Sequence, residues 1–173
     1  MPSFIGIDPG LVHTAGVAVQ ASHAFKTFTI YTKVVDGISD SALAEMAEWA
    51  REKDMDVVAI EGYRPRGHYQ GDSNMMQAIK HLQTQIPGSR QVPNMGVKKV
   101  ITNDTLKLLR LWSFQPKTHH QDLRSAARIG LFHYAQDPGG SEWLYEIIQS
   151  VYKFTIFDKP MTNTLWTFHE INE

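Results

Sequence analysis

Apolar and polar positions change period several times along the chain, and each change marks an element. Phe4 to Asp8 is a short apolar run ending on a carboxylate and followed at once by Pro9-Gly10, the pattern of a buried strand and a tight turn. Thr14 to Val19 alternates small with apolar residues, and Lys26 to Val34 alternates polar residues with Phe28, Ile30 and Val34. Two further strands are predicted, antiparallel neighbours of the first in a three-stranded meander. Past Asp36-Gly37 the period lengthens to that of a helix, with Leu43, Met46, Ala47 and Ala50 in line, Ser39 or Asp40 as N-cap and an end near Lys53. Val57 to Glu61 is again apolar, too short for a helix and closed by an acid, as expected of a central parallel strand.

Residues 62–72, with three glycines and a proline, predict a loop rich in cations and aromatics. A helix carrying Met75, Ile79, Leu82 and Ile86 on one face follows, then a short strand over Arg90–Val92 and a helix over Asn103–Trp112. Thr118-His119-His120-Gln121 has capping-box spacing, and the helix it opens carries Leu123, Ala126, Ala127, Gly130, Leu131 and Tyr134, small residues that allow close packing. That helix is predicted to stop at Asp137-Pro138-Gly139-Gly140, with another near Trp143–Val151. The element order predicts an α/β domain with a mixed five-stranded sheet flanked by helices. Residues 1–137 form the domain, and 138–173 form a C-terminal extension packed on it.

At 173 residues, the chain has room for one such domain. Cysteine is absent, which excludes disulfides, a thiolate zinc site and a cysteine nucleophile. No stretch reaches membrane-spanning length and Met-Pro-Ser-Phe is no signal peptide, so a cytoplasmic protein with no membrane partner is expected. Net charge is only −1, but it is unevenly spread: −3 over residues 1–89, +6 over 90–128 and −4 over 129–173. The basic middle segment, with Lys98, Lys99, Lys107, Arg110, Lys117, Arg124 and Arg128, can hold phosphates without reading bases, because field and contacts are local. A solvated helix face explains the same charges.

In open sheets the C-terminal ends of parallel strands face the ligand crevice, which places Asp8 and Glu61 together. His119 and Asp122, three apart at a helix start, share one face. Each acid alone suits a turn or a helix cap, but their joint occurrence suggests a site. Two carboxylates about 4 Å apart repel by roughly 4 kcal/mol at an effective dielectric near 20, so such a cluster needs a cation. With oxygen donors and no thiols the candidate is Mg²⁺, and a pair of such ions suits phosphodiester hydrolysis.

Ile5-Gly6-Ile7-Asp8-Pro9-Gly10 with Thr14 and Gly16, then Val58-Ala59-Ile60-Glu61, then His119-His120-Gln121-Asp122 with Ala126 and Ala127, resembles the RuvC-type Holliday junction resolvases over about residues 3–136. The resemblance implies an RNase H-like fold and a homodimeric, Mg²⁺-dependent endonuclease that nicks two strands symmetrically across four-way DNA. It implies two ions per site, with Mn²⁺ as a substitute, ligated by Asp8, Glu61 and Asp122, with His119 as the fourth catalytic and ligating position. Lys98 or Lys99 resembles the family's lysine near the scissile phosphate. Tyr63, Arg64, Arg66, His68 and Tyr69 fall where the family contacts the junction, and Lys107 and Arg124 extend the DNA-binding track. Dimerisation through the helix after the second carboxylate is implied as well.

The chain departs from the family in three places: Ala15 replaces a usual glycine, His120 offers a competing imidazole, and the tail after Asp137 is long. The tail would suit a phage-encoded variant. Other readings stay open: a nuclease of the same fold acting on RNA–DNA hybrids or other branched DNA, an actin-like ATPase, or a non-catalytic DNA-binding protein. The ATPase reading lacks a second Asp-x-Gly loop and any Walker motif.

Overall fold

The computed structural model describes residues 3–22, 24–64, 70–115, 118–155 and 166–173. The predicted meander is present: β1 (Ser3–Asp8) pairs antiparallel with β2 (His13–Ser22), and β2 with β3 (Thr27–Asp36). Ser39 caps α1 (Asp40–Lys53), its hydroxyl accepting from Ala42 N–H at 3.3 Å. β4 (Val57–Gly62) lies parallel to β1; α2 (Gln70–Gln85) leads to β5 (Arg90–Pro93), parallel to β4. A single helical turn that the pattern does not predict, α3 (Val97–Val100), carries Lys98 and Lys99.

α4 (Asn103–Leu108) ends four residues before Trp112. Its last turn closes as a Schellman motif: Arg110 at φ 58° donates to Lys107 O, and Leu111 donates to Leu106 O at 2.8 Å. α5 (His120–Tyr134) starts later than the capping box predicts. His119, at φ 66°, occupies the N-cap and its side chain makes no capping bond, because the left-handed turn places the first helical carbonyl on His119 instead of Thr118. α6 (Pro138–Thr155) begins inside the predicted stop: proline at the first helical position costs no hydrogen bond and presets φ, so the Pro-Gly-Gly segment opens a helix.

Among the described residues the sheet has six strands, one more than predicted, in the order β5-β4-β1-β2-β3-β6, with β6 (Thr167–Asn172) parallel to β3. β6 is almost wholly exposed, so it carries no alternation to read. Backbone pairing and its end contacts hold it: Thr32 hydroxyl donates to Asn172 Oδ1 at 2.5 Å, and Trp49 Nε1–H to Glu173 Oε2 at 2.6 Å.

Strand periodicity sorts the core into two layers. Ile5, Ile7 and Ile60 face α1 and α2, packing with Leu43, Met46, Trp49, Ile79 and Leu82. Phe4, Ala15, Val17, Val19 and Phe28 face the other way, against Leu106, Phe114, Leu123, Ala126, Ala127 and Trp143. Where α5 crosses β1 the backbones nearly touch: a Cβ on Gly6 would lie 1.8 Å from Ala126 O, and one on Gly130 would lie 2.7 Å from Gly6 N. The small-residue stripe thus seats α5 directly on β1. Among the described residues no helix is long and apolar enough to cross a membrane.

Candidate active site

Asp8 alternates with Phe4 and Gly6, and Glu61 alternates with Ala59, so both acids point to the α5 face. The parallel register pairs Ile7 with Ile60, which leaves Asp8 and Glu61 side by side one step beyond. The close crossing of α5 brings its first turn, with Asp122, over the same strand ends. Asp8, Glu61 and Asp122 line one cavity of about 390 Å³ with Pro9 to His13, Tyr63 and Met75.

The electrostatics record the crowding. Burial, then the charge of Glu61 and a hydrogen bond with it, then the charge of Asp122 push the Asp8 carboxyl up to about 9, and a hydrogen bond from Ser125 only partly offsets them. Glu61 is held on both oxygens: Asn94 donates its amide to Oε1, and Ser125 donates to Oε2 at 3.3 Å. His119 Nδ1 lies 3.9 Å from Asp122 Oδ2. The adjacent His120 is turned elsewhere, its Nδ1 accepting from Phe114 N–H at 3.0 Å.

The donor set suits a hard divalent cation: oxygens, no sulfur, and a buried carboxyl pushed up by burial and by the charges of Glu61 and Asp122. Among the described residues, no three acids or histidines are gathered closely enough to enclose one ion as they stand. Asn94 and Ser125 fix the orientation of the Glu61 carboxylate beside Asp8.

The basic residues divide. Lys98 and Arg124 line a second cavity, about 540 Å³, together with Asp8, Asp122, Trp112 and Gln121. Arg124 stacks on the Trp112 ring at 3.8 Å and donates Nε–H to its carbonyl at 2.5 Å, while Lys107, paired with Asp104 at 3.6 Å, lies 5.3 Å from the centre of the same ring. Lys99 is exposed outside both cavities. Arg128 lines the second cavity too, but is mostly buried, with Nε donating to Ile101 O at 3.0 Å and Nη2 to Asn103 Oδ1 at 2.7 Å. Arg110 lies over Phe168.

Tyr63 and Arg64 line a third and larger cavity, about 990 Å³, beside Glu61, Asn94 and Met95. The Tyr63 ring packs on the α1–α2 core and its hydroxyl bonds Asp72 of α2, an anchored position within the predicted loop. Arg66, His68, Tyr69 and Lys117 lie outside the described residues.

Four neighbours of the site escape the sequence pattern. Ser125 was findable, three residues after Asp122 on the same helical face. His13 alternates with Ala15 and Val17, which puts it on the α5 side. Asn94 and Trp112 sit in turns whose approach to the acids no local period encodes.

No known family profile matches the chain, and no curated protein does. Among solved structures it is similar to Thermus thermophilus RuvC in complex with a Holliday junction substrate, at 19% identity and a TM-score of 0.54, covering 78% of this chain and 95% of that one. A second structure of Thermus thermophilus RuvC aligns at the same identity and coverage with a TM-score of 0.52. A fowlpox virus Holliday junction resolvase aligns more loosely, at 11% identity and a TM-score of 0.46 over 83% of this chain and 99% of that one. At these identities the likeness to the Thermus protein establishes the architecture: the chain has the RuvC fold.

Proposed function

We propose that this chain is a divalent-metal-dependent endonuclease of the cytoplasm that resolves four-way DNA junctions by paired, symmetric nicks. The observation that carries the reading is the meeting of Asp8, Glu61 and Asp122, from β1, β4 and α5, around a carboxyl raised to about 9. Mutual repulsion of that kind is tolerated where a cation completes the site. The RuvC fold and its junction-bound Thermus example support the choice of substrate.

Asp8, Glu61 and Asp122 would hold Mg²⁺, two ions per site with Mn²⁺ as a substitute, and His119 stands beside them as the fourth member. Bound there, the metal supplies Lewis-acid polarisation of the scissile phosphate and neutralises charge on the departing oxygen. The chain's own part is placement. Asp8 anchors the centre from a rigid strand end, Ser125 and Asn94 orient Glu61, and His119 stands within reach of Asp122 to orient the attacking water or assist the leaving oxygen. Lys98 and Arg124 border the acids on one side and bind the strand backbone there, with Lys107 extending the track. Tyr63 and Arg64 border them on the other, and Lys99, Arg66 and Tyr69 complete the junction-contacting set. A homodimer formed through α2, where Met76 is 52% exposed, places two sites on one junction.

Cleavage of a synthetic mobile four-way junction, with and without Mg²⁺ and with products mapped on all four strands, tests this reading. Nicks at matching positions on two opposing strands, dependent on the ion, are expected. Equal cutting of three-way, flap and RNA–DNA hybrid substrates would move the assignment to another nuclease of the same fold, and no cutting of any would end it.

A further inference from the structure

His119 is poorly held by its own helix. It sits at φ 66°, a conformation that non-glycine residues rarely adopt, it makes no capping bond through its side chain, and its Nδ1 is 3.9 Å from Asp122, too far for a hydrogen bond. Something else must fix where its imidazole points. The ring it meets is His13, at the start of β2: the two ring centroids are 4.3 Å apart and the planes 72° from parallel, an edge-to-face contact.

His13, unlike His119, stands on a rigid base. Its backbone is registered opposite Asp36, whose exposed Oδ1 lies 3.3 Å from His13 Nδ1 without completing a hydrogen bond, so the strand pairing holds the position. The residues on either side of it are tied to Gly37, Val12 O accepting from Gly37 N–H at 2.8 Å and the Thr14 hydroxyl donating to Gly37 O at 2.8 Å. His13 also lines the cavity that holds Asp8, Glu61 and Asp122. The geometry points to His13 as a positioning residue: its ring, braced by β2 and β3, sets the orientation of the His119 imidazole toward Asp122 and joins the β1–β2 turn to the mouth of α5. This rests on the reading of His119 as a catalytic group. The contact requires a ring at position 13 and makes no demand on that ring's charge.

Two substitutions separate the ring from its nitrogens. His13→Ala removes the edge-to-face partner, and His13→Phe keeps it. Single-turnover cleavage of a four-way junction at saturating Mg²⁺ should fall about 10- to 100-fold in His13→Ala, the usual effect of losing a group that orients a site residue. His13→Phe should recover most of that rate, and junction affinity without divalent ion should be the same in all three proteins.

A second readout needs no activity. The His119 ring C–H resonances of the full chain, assigned with His119→Asn, should move toward those of an unstacked histidine in His13→Ala and return in His13→Phe. Wild-type cleavage with unmoved resonances in His13→Ala would overturn the inference. So would a His13→Phe protein as slow as His13→Ala, since the ring nitrogen would then be what matters. If the wild-type protein cuts no branched DNA, the nuclease reading fails by itself, and the resonances still decide whether His13 orients His119.

Discussion

Asp8 concentrates the cost of the site in one carboxyl. An acid whose value is raised in the folded protein favours its neutral form there, so the metal-free fold binds a proton that the unfolded chain has released. The sign follows: the contribution of Asp8 is fully present below its ordinary value of 3.8 and is lost as pH climbs toward about 9. Metal-free protein should therefore melt progressively lower across that range. Asp8→Asn should raise the melting temperature at about pH 8 by about 2–8 °C, equivalent to 1–2 kcal/mol for a chain of this size. Thermal melts in chelator across pH measure both effects. The same substitution should abolish cleavage while leaving junction binding intact, and retained cleavage in a metal-replete assay would reject the site.

The crossing of α5 over β1 turns three separated acids into one pocket. Gly6 and Gly130 permit it, and a methyl group on either meets backbone, which cannot rotate aside. Gly130→Ala should cost about 1–3 kcal/mol of stability by overpacking. It should also lower the cleavage rate beyond what the lost stability explains, because lifting α5 by even about 1 Å displaces Asp122 from Asp8. Denaturant melts and single-turnover rates on the folded fraction separate the two effects.

The added edge strand β6 makes a different prediction. Glu173 would be raised by burial, but hydrogen bonds from Lys53 and Trp49 and the charges of Lys53 and Lys33 outweigh this and hold its carboxyl below the usual range. Its contribution is present above the ordinary glutamate value and is lost as pH falls through the lowered one. Glu173→Ala strands the buried Trp49 N–H and should cost about 1 kcal/mol, with cleavage unchanged.

Across the assembled protein, the proposed function makes charge decide how DNA is held. A net charge of −1 conceals a face on which Lys98, Lys107 and Arg124 gather beside the acids. If these three neutralise three phosphates, junction affinity should weaken roughly 40-fold between about 50 and 200 mM salt. Lys98→Ala should reduce that salt slope by about one, and titrations at several salt concentrations check it. Met76→Asp on the exposed part of α2 should yield monomers in sedimentation and convert paired nicks to unpaired ones.

Much of this is legible in the sequence because periodicity is local. The short apolar runs of Phe4 to Asp8 and of Val57 to Glu61 state that each acid ends a buried strand, and the small residues Ala126, Ala127 and Gly130 state that a helix packs closely. What periodicity states is which way a side chain faces, never which distant residue it faces. The pairing of Ile7 with Ile60, the bond from Asn94 to Glu61, the contact of His13 with His119 and the turn of His120 toward Phe114 all depend on lateral distances between elements. The later start of α5 and the sixth strand belong to the same class. A left-handed residue at position 119 and an exposed edge strand are stabilised by neighbours far along the chain, and those neighbours exist only once the sheet has formed.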